Sequence, residues 1–130
     1  MRRLCQKGAQ DAHLHGVTFR AATFEPRFQK HAAQICHGVE IFVTDRNAME
    51  PYLLGLVVIE AAMRANPERF AWRTETYEFV DDPIAIDLLC GSSKTRLGLE
   101  SKLSPREILE SEAEQLVEFN AQREDCLLYP

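Results

Sequence analysis

The residues best suited to chemistry crowd into one short stretch near the start of the chain. Phe19, Arg20, Phe24, Arg27, Phe28, Lys30 and His31 fall within thirteen residues. A guanidinium is a planar fork of donors that grips a carboxylate with two parallel hydrogen bonds. Neighbouring residues on a strand point to opposite faces, so if Phe19 turns into the core, Arg20 turns outward to where a ligand can reach it. Other groups carry weaker arguments. Cys36 stands beside His37 and five residues after His31, but a thiolate nucleophile needs a base within hydrogen-bond reach, and strand neighbours diverge. A structural Cys36 is the plainer reading. His13, His15, His31, Cys36 and His37 offer metal-ligating atoms without the spacing of a known metal site, so no metal or other cofactor is expected. Asp45, Asp81, Asp82 and Asp87 could supply the two carboxyl groups of a glycosidase, yet Asp45 reads more simply as a turn residue and Asp81-Asp82-Pro83 as a helix start. Gly91-Ser92-Ser93-Lys94 could hold an anion at a helix N-terminus, or be a helix stop followed by a cap. None of these makes a complete catalytic set.

These residues need elements to hold them. Gly16 introduces Val17-Thr18-Phe19-Arg20, an alternation that reads as a strand, and Pro26 makes the following Phe24–Phe28 segment irregular or an edge. Gly38 to Thr44 is the clearest strand, with Val39, Ile41 and Val43 on one face. Phe42 on the other, polar face conflicts with that pattern and implies a cover over it. Asp45-Arg46-Asn47 turns the chain, Pro51 opens a helix that is apolar on nearly every side, and Asn66-Pro67 ends it. Phe70 to Val80, rich in aromatics, reads as a β-prone return segment. Pro83–Leu89 and Ser93–Glu100 are short helices, the first stopped at Gly91. Ser104-Pro105-Arg106-Glu107 is a capping box; its helix is expected to run to about Glu124, burying Ile108, Leu109, Leu116 and Phe119. The order predicts an α+β fold: a small open, mostly antiparallel sheet packed against a central apolar helix and a long C-terminal amphipathic helix. Residues 1–15, weakly helical, are expected to be a remnant of a preceding element or a linker, and 16–130 a single domain.

Composition narrows the function classes. The 130 residues, 45% hydrophobic and 27% charged, fit one ordinary globular core. Net charge is −5, with bases gathered in Met1–Lys30 and acids in Ser104–Asp125. An acidic chain with no recurring basic stripe argues against nucleic acid. The longest apolar stretch, Tyr52–Met63, is broken by Glu60 and falls short of the roughly 20 residues of a membrane span. Cys5, Cys36, Cys90 and Cys126 lie far apart, which fits reduced thiols at least as well as disulfides.

Five blocks taken in order carry a resemblance: Gly16-Val-Thr-Phe-Arg20, Phe24-Glu-Pro-Arg-Phe-Gln-Lys30, Cys36-His-Gly-Val-Glu-Ile-Phe-Val-Thr-Asp-Arg46, Asp87-Leu-Leu-Cys-Gly91 and Cys126-Leu-Leu-Tyr129. From Gly16 to Tyr129 the chain resembles the C-terminal domain of the bacterial exo-β-N-acetylmuramidases, a glycoside hydrolase family long filed as a domain of unknown function. It departs from them at Ala21, where proline is expected, and at Phe42, where histidine often stands. The resemblance implies an accessory domain of a peptidoglycan glycosidase, inactive alone, whose partners are a Rossmann-like N-terminal catalytic domain and an N-acetylmuramic-acid-containing glycan. The expected substrate-binding residues are Phe19, Arg20, Phe24, Lys30 and Arg46. The competing reading is an interaction module that contacts no ligand and self-associates through its exposed interdomain surface. A self-sufficient small enzyme built on Cys36 or the aspartates is the third.

Overall fold

The computed structural model describes residues 1–128. The chain forms two compact units, Met1–Ala71 and Trp72–Pro130. Among the described residues they hold two strands and six helices, an α+β composition with a two-stranded antiparallel sheet, as the sequence predicts. Among the described residues no helix is long and apolar enough to cross a membrane.

The first unit begins with α1 (Arg2–Asp11), whose buried side is made of small residues, Cys5, Gly8 and Ala9. Small residues let helices approach closely: a Cβ on Gly8 would sit 3.2 Å from Val57 Cγ1 of the helix it packs against. The end of α1 is a Schellman motif. Leu14 N–H donates to the Ala9 carbonyl at 2.8 Å and His13 N–H to that of Gln10 at 3.1 Å, with His13 in the left-handed region at φ 52° and Leu14 buried. Gly16 follows at φ 72°. A side chain there would run into the Asp45 carbonyl oxygen, and the Gly16 carbonyl accepts from Thr44 and Asp45 N–H, so only glycine closes this corner.

β1 (Val17–Phe24) and β2 (Cys36–Val43) then pair antiparallel, Val17 opposite Val43 and Phe24 opposite Cys36. Phe19 is buried, but Ile41 and Val43, expected to face the core, are exposed. Alternation reported the strand correctly and overstated its burial, because a two-stranded sheet has too little area for a covered face along its whole length. α2 (Pro51–Ala65) carries its fully buried stripe on Leu53, Leu56, Val57 and Ala61. It begins at Pro51 and stops at Asn66.

The expected return strand over Phe70–Val80 does not form. Its only ladder contact is an isolated bridge between Tyr77 and Val80, closed by their mutual backbone hydrogen bonds of 3.0 and 2.9 Å. β-prone side chains need a neighbouring strand to pair with, and none lies alongside. α3 (Ala85–Cys90) ends on Gly91 at φ 74°, and α4 (Lys94–Glu100) follows. The capping box is present: Glu107 N–H donates to Ser104 Oγ, and the Glu107 carboxylate accepts from Ser104 N–H at 2.8 Å. The helix it opens breaks at Glu112 into α5 (Pro105–Ser111) and α6 (Ala113–Glu124). Ile108 is buried, whereas Leu116 and Phe119 are exposed, so the expected buried stripe stops with α5. Tyr129, last residue of the terminal sequence block, lies outside the described residues.

Candidate functional site

Strand register fixes which side chains share a surface. Paired residues lie on the same face, so Thr18 and Phe42, Arg20 and Glu40, Ala22 and Gly38, and Phe24 and Cys36 line one side of the hairpin. Phe19 and Ile41, with Thr23 and His37, line the other. Arg20 therefore does turn outward when Phe19 turns in.

On the outward face Arg20 is held from two directions. Its Nη2 donates to Glu40 Oε2 at 2.6 Å and its Nε to the same oxygen at 3.2 Å. The guanidinium carbon stands 5.2 Å from the centre of the Phe42 ring, within cation–π range. Phe42, the residue that conflicted with the polar face, is thus covered by a charge rather than by another element. Across the ion pair Phe24 lies over Gly38, where a Cβ would meet its ring at 3.1 Å. The result is a row of ring, ion pair and ring, with both rings about half exposed. Glu40 occupies one edge of the guanidinium, through Nε and Nη2. Among the described residues Nη1 makes no hydrogen bond, and the side chain is 69% exposed, so the edge bearing Nη1 is the one that a ligand carboxylate would meet.

The remaining candidates lie elsewhere. Lys30 is exposed in the 25–35 loop that joins the strands, a loop closed by Ala33 N–H on the Pro26 carbonyl at 2.9 Å. Arg46 is exposed beyond the end of β2, in a turn where Asp45 Oδ1 accepts from Asn47 N–H at 2.9 Å. Roughly 25 Å of extended strand separates these two ends of the hairpin, so Lys30 and Arg46 do not converge, and Phe19 lies on the opposite face from Arg20 and Phe24. Cys36 and His37 diverge as strand neighbours must: the Cys36 thiol donates to the Gln34 carbonyl, while His37 Nδ1 meets Thr23 Oγ1 at 3.2 Å. All four cysteines are free; Cys5 is enclosed, and burial pushes its thiol up from the ordinary value. Among the described residues no group of three or more histidines, cysteines or carboxylates is arranged to hold a metal.

Two of the second unit's candidate aspartates have structural partners. Asp81 accepts from the Thr76 hydroxyl. Asp87 is buried and receives three hydrogen bonds from Arg96, at 3.0 and 3.1 Å from Nε and 2.8 Å from Nη2. These bonds push the Arg96 guanidinium further up. Arg96 also reaches Glu100, which accepts from Trp72 Nε1 at 2.8 Å. Sequence reading missed this network, and it missed Glu40 as the partner of Arg20. The signal for Glu40 was the pairing register of two strands already recognised; for Arg96 no spacing would have revealed it.

Comparison with known proteins agrees with the architecture and supplies the family. The model of the family described as exo-beta-N-acetylmuramidase NamZ, C-terminal, matches residues 2–129. The chain is 38% identical over 117 residues to the peptidoglycan beta-N-acetylmuramidase NamZ of Bacillus subtilis (strain 168), covering 90% of this chain and 26% of that protein. It thus spans about a quarter of the length of this curated relative. A crystal structure of a DUF1343 family protein from Bacteroides fragilis superposes with a TM-score of 0.69 at 19% identity, over 100% of this chain and 33% of that one. The match over nearly every residue, on the fold described above, shows that this chain belongs to the family of C-terminal domains of the exo-β-N-acetylmuramidase NamZ.

Proposed function

We propose that the chain works as the accessory domain of a longer peptidoglycan-cleaving muramidase, where it closes one side of the cleft and contacts the sugar without supplying the reacting groups. The observation that carries this reading is the outward face of the hairpin. Arg20 presents a donor edge between two half-exposed rings, while Asp81 and Asp87, two of the candidate carboxylates, are engaged in structural hydrogen bonds. Muramic acid has a pyranose whose C–H faces suit aromatic rings and a lactyl carboxylate that suits a guanidinium edge. Of the residues expected to bind substrate, Arg20 and Phe24 form the contact surface, with Phe42 joining them. Lys30 and Arg46 would meet parts of the glycan beyond it, and Phe19 supports the strand from behind. The bond-breaking groups would belong to an N-terminal catalytic domain on the same polypeptide.

Kinetics of the full-length enzyme on a chromogenic N-acetylmuramic acid glycoside test this. Arg20→Ala should raise KM about tenfold or more, the effect of losing charged hydrogen bonds, and Lys30→Ala less. Unchanged constants in both variants would remove the hairpin from the site.

One observation favours a second reading. α6 leaves Leu116, Val117 and Phe119 exposed together, as a surface that docks another domain or another copy would. On that reading the isolated chain self-associates, and a strictly monomeric chain in sedimentation velocity would count against it.

A further inference from the structure

Arg20 is a long side chain with many rotamers, and an exposed arginine ordinarily samples them freely. This one is restrained by two partners. One oxygen of its cross-strand neighbour Glu40 takes both Nε–H and Nη2–H, and the guanidinium carbon stands 5.2 Å from the centre of the Phe42 ring. An exposed ion pair does little for stability, since solvent and salt screen it. What the arrangement does accomplish is direction: with its Nε edge fixed to Glu40, the fork can offer a ligand only its Nη1 edge, at one angle.

We propose that Glu40 and Phe42 are positioning residues that hold Arg20 ready for a carboxylate, so that this face discriminates an acidic N-acetylhexosamine from its neutral counterpart. The inference rests on the functional reading above and adds to it the origin of its selectivity. A fork ordered before binding loses less freedom on meeting a planar carboxylate than a mobile one does. Glu40 also has an opposite tendency, since its own negative charge sits beside the incoming anion and repels it. The two effects predict opposite signs on removing Glu40, which makes the idea sharp. Hydrogen bonding rather than charge does the positioning, so an amide oxygen at residue 40 should serve nearly as well as a carboxylate.

The experiment measures kcat/KM of the full-length enzyme on a muramic acid glycoside and on the same glycoside with its lactyl carboxylate methyl-esterified. The acid-to-ester ratio isolates the carboxylate contact from general damage. Glu40→Ala should lower the ratio about tenfold, the scale of one charged hydrogen-bonding arrangement lost, and Glu40→Gln should restore most of it. Phe42→Leu, which keeps an apolar floor but removes the ring, should lower it several-fold and serves as the second variant should Glu40→Ala fold poorly. If Arg20→Ala lowers the ratio while Glu40→Ala and Phe42→Leu leave it unchanged, positioning is wrong and the functional reading stands. A ratio that rises in Glu40→Ala shows that Glu40 competes with substrate, and equal losses in Glu40→Ala and Glu40→Gln show that charge is what matters. Either result overturns the proposal. A ratio untouched by Arg20→Ala overturns the functional reading itself.

Discussion

Among the described residues, the shortest arginine–carboxylate pairs of the two units do different work. In the second unit Arg96 grips Asp87 at 2.8 Å with side-chain exposures of 22% and 8%; in the first, Arg20 grips Glu40 at 2.6 Å with exposures of 69% and 44%. The shorter bond is the weaker contributor to stability, because water surrounds it and solvates either partner once the other is gone. Asp87 has no such alternative. It is held inside the unit, and its charge is tolerable there only while the guanidinium stays. Contact geometry alone therefore does not tell a structural pair from a functional one; exposure decides. The buried pair fixes α3 against α4, and the exposed pair leaves an arginine edge for something else.

That contrast can be broken by mutation. Arg96→Ala, which leaves the buried Asp87 carboxylate without its partner, should destabilise the chain by about 3 kcal/mol, the usual result of removing one partner of a buried pair, seen as a fall in the urea midpoint. A loss below about 1 kcal/mol would mean that water reaches Asp87 after all. Ser104→Ala removes the helix cap and should cost about 1 kcal/mol in the same assay. The cap also has a pH signature. Hydrogen bonds from the Ser104 hydroxyl and backbone hold Glu107 below its ordinary value of 4.5, so the unfolded chain takes up that proton first. The cap's contribution is then present above pH 4.5 and is lost as the pH falls through the lower folded-state value. Melting temperature should drop over that acid window in the parent chain, and Ser104→Ala should flatten the drop. Smallest of all, Arg20→Ala should change stability by less than about 1 kcal/mol even as it raises KM. A large loss of stability would place Arg20 with Arg96, as part of the scaffold.

Much of the scaffold was legible because its signals are local. Period-two alternation located both strands, Pro51 and Asn66 bracketed α2, Gly91 stopped α3, and Ser104 with Glu107 marked the start of α5. Each is set by neighbours within a few residues. What stayed hidden depends on distant partners. Phe70–Val80 has strand-forming side chains but no strand beside it, and it makes only a turn, with Glu78 and Phe79 at positive φ and Phe79 99% exposed. The break at Glu112 carries no proline or glycine to announce it. The buried face of α1 is built from cysteine, glycine and alanine, which give a weak apolar stripe but a close helix contact. For the candidate site, alternation gave the direction of Arg20, whereas its restraint by Glu40 and Phe42 needed the register of the hairpin.

A crystal structure of the full-length protein with N-acetylmuramic acid bound is the most direct test of the central claim that this domain touches the substrate through Arg20. The account predicts the lactyl carboxylate within hydrogen-bond distance of Arg20 Nη1 or Nη2, with Glu40 still on Nε and a ring of Phe24 or Phe42 against the sugar. A well-ordered sugar whose carboxylate is held entirely by the other domain, with Arg20 still turned to solvent, would contradict it.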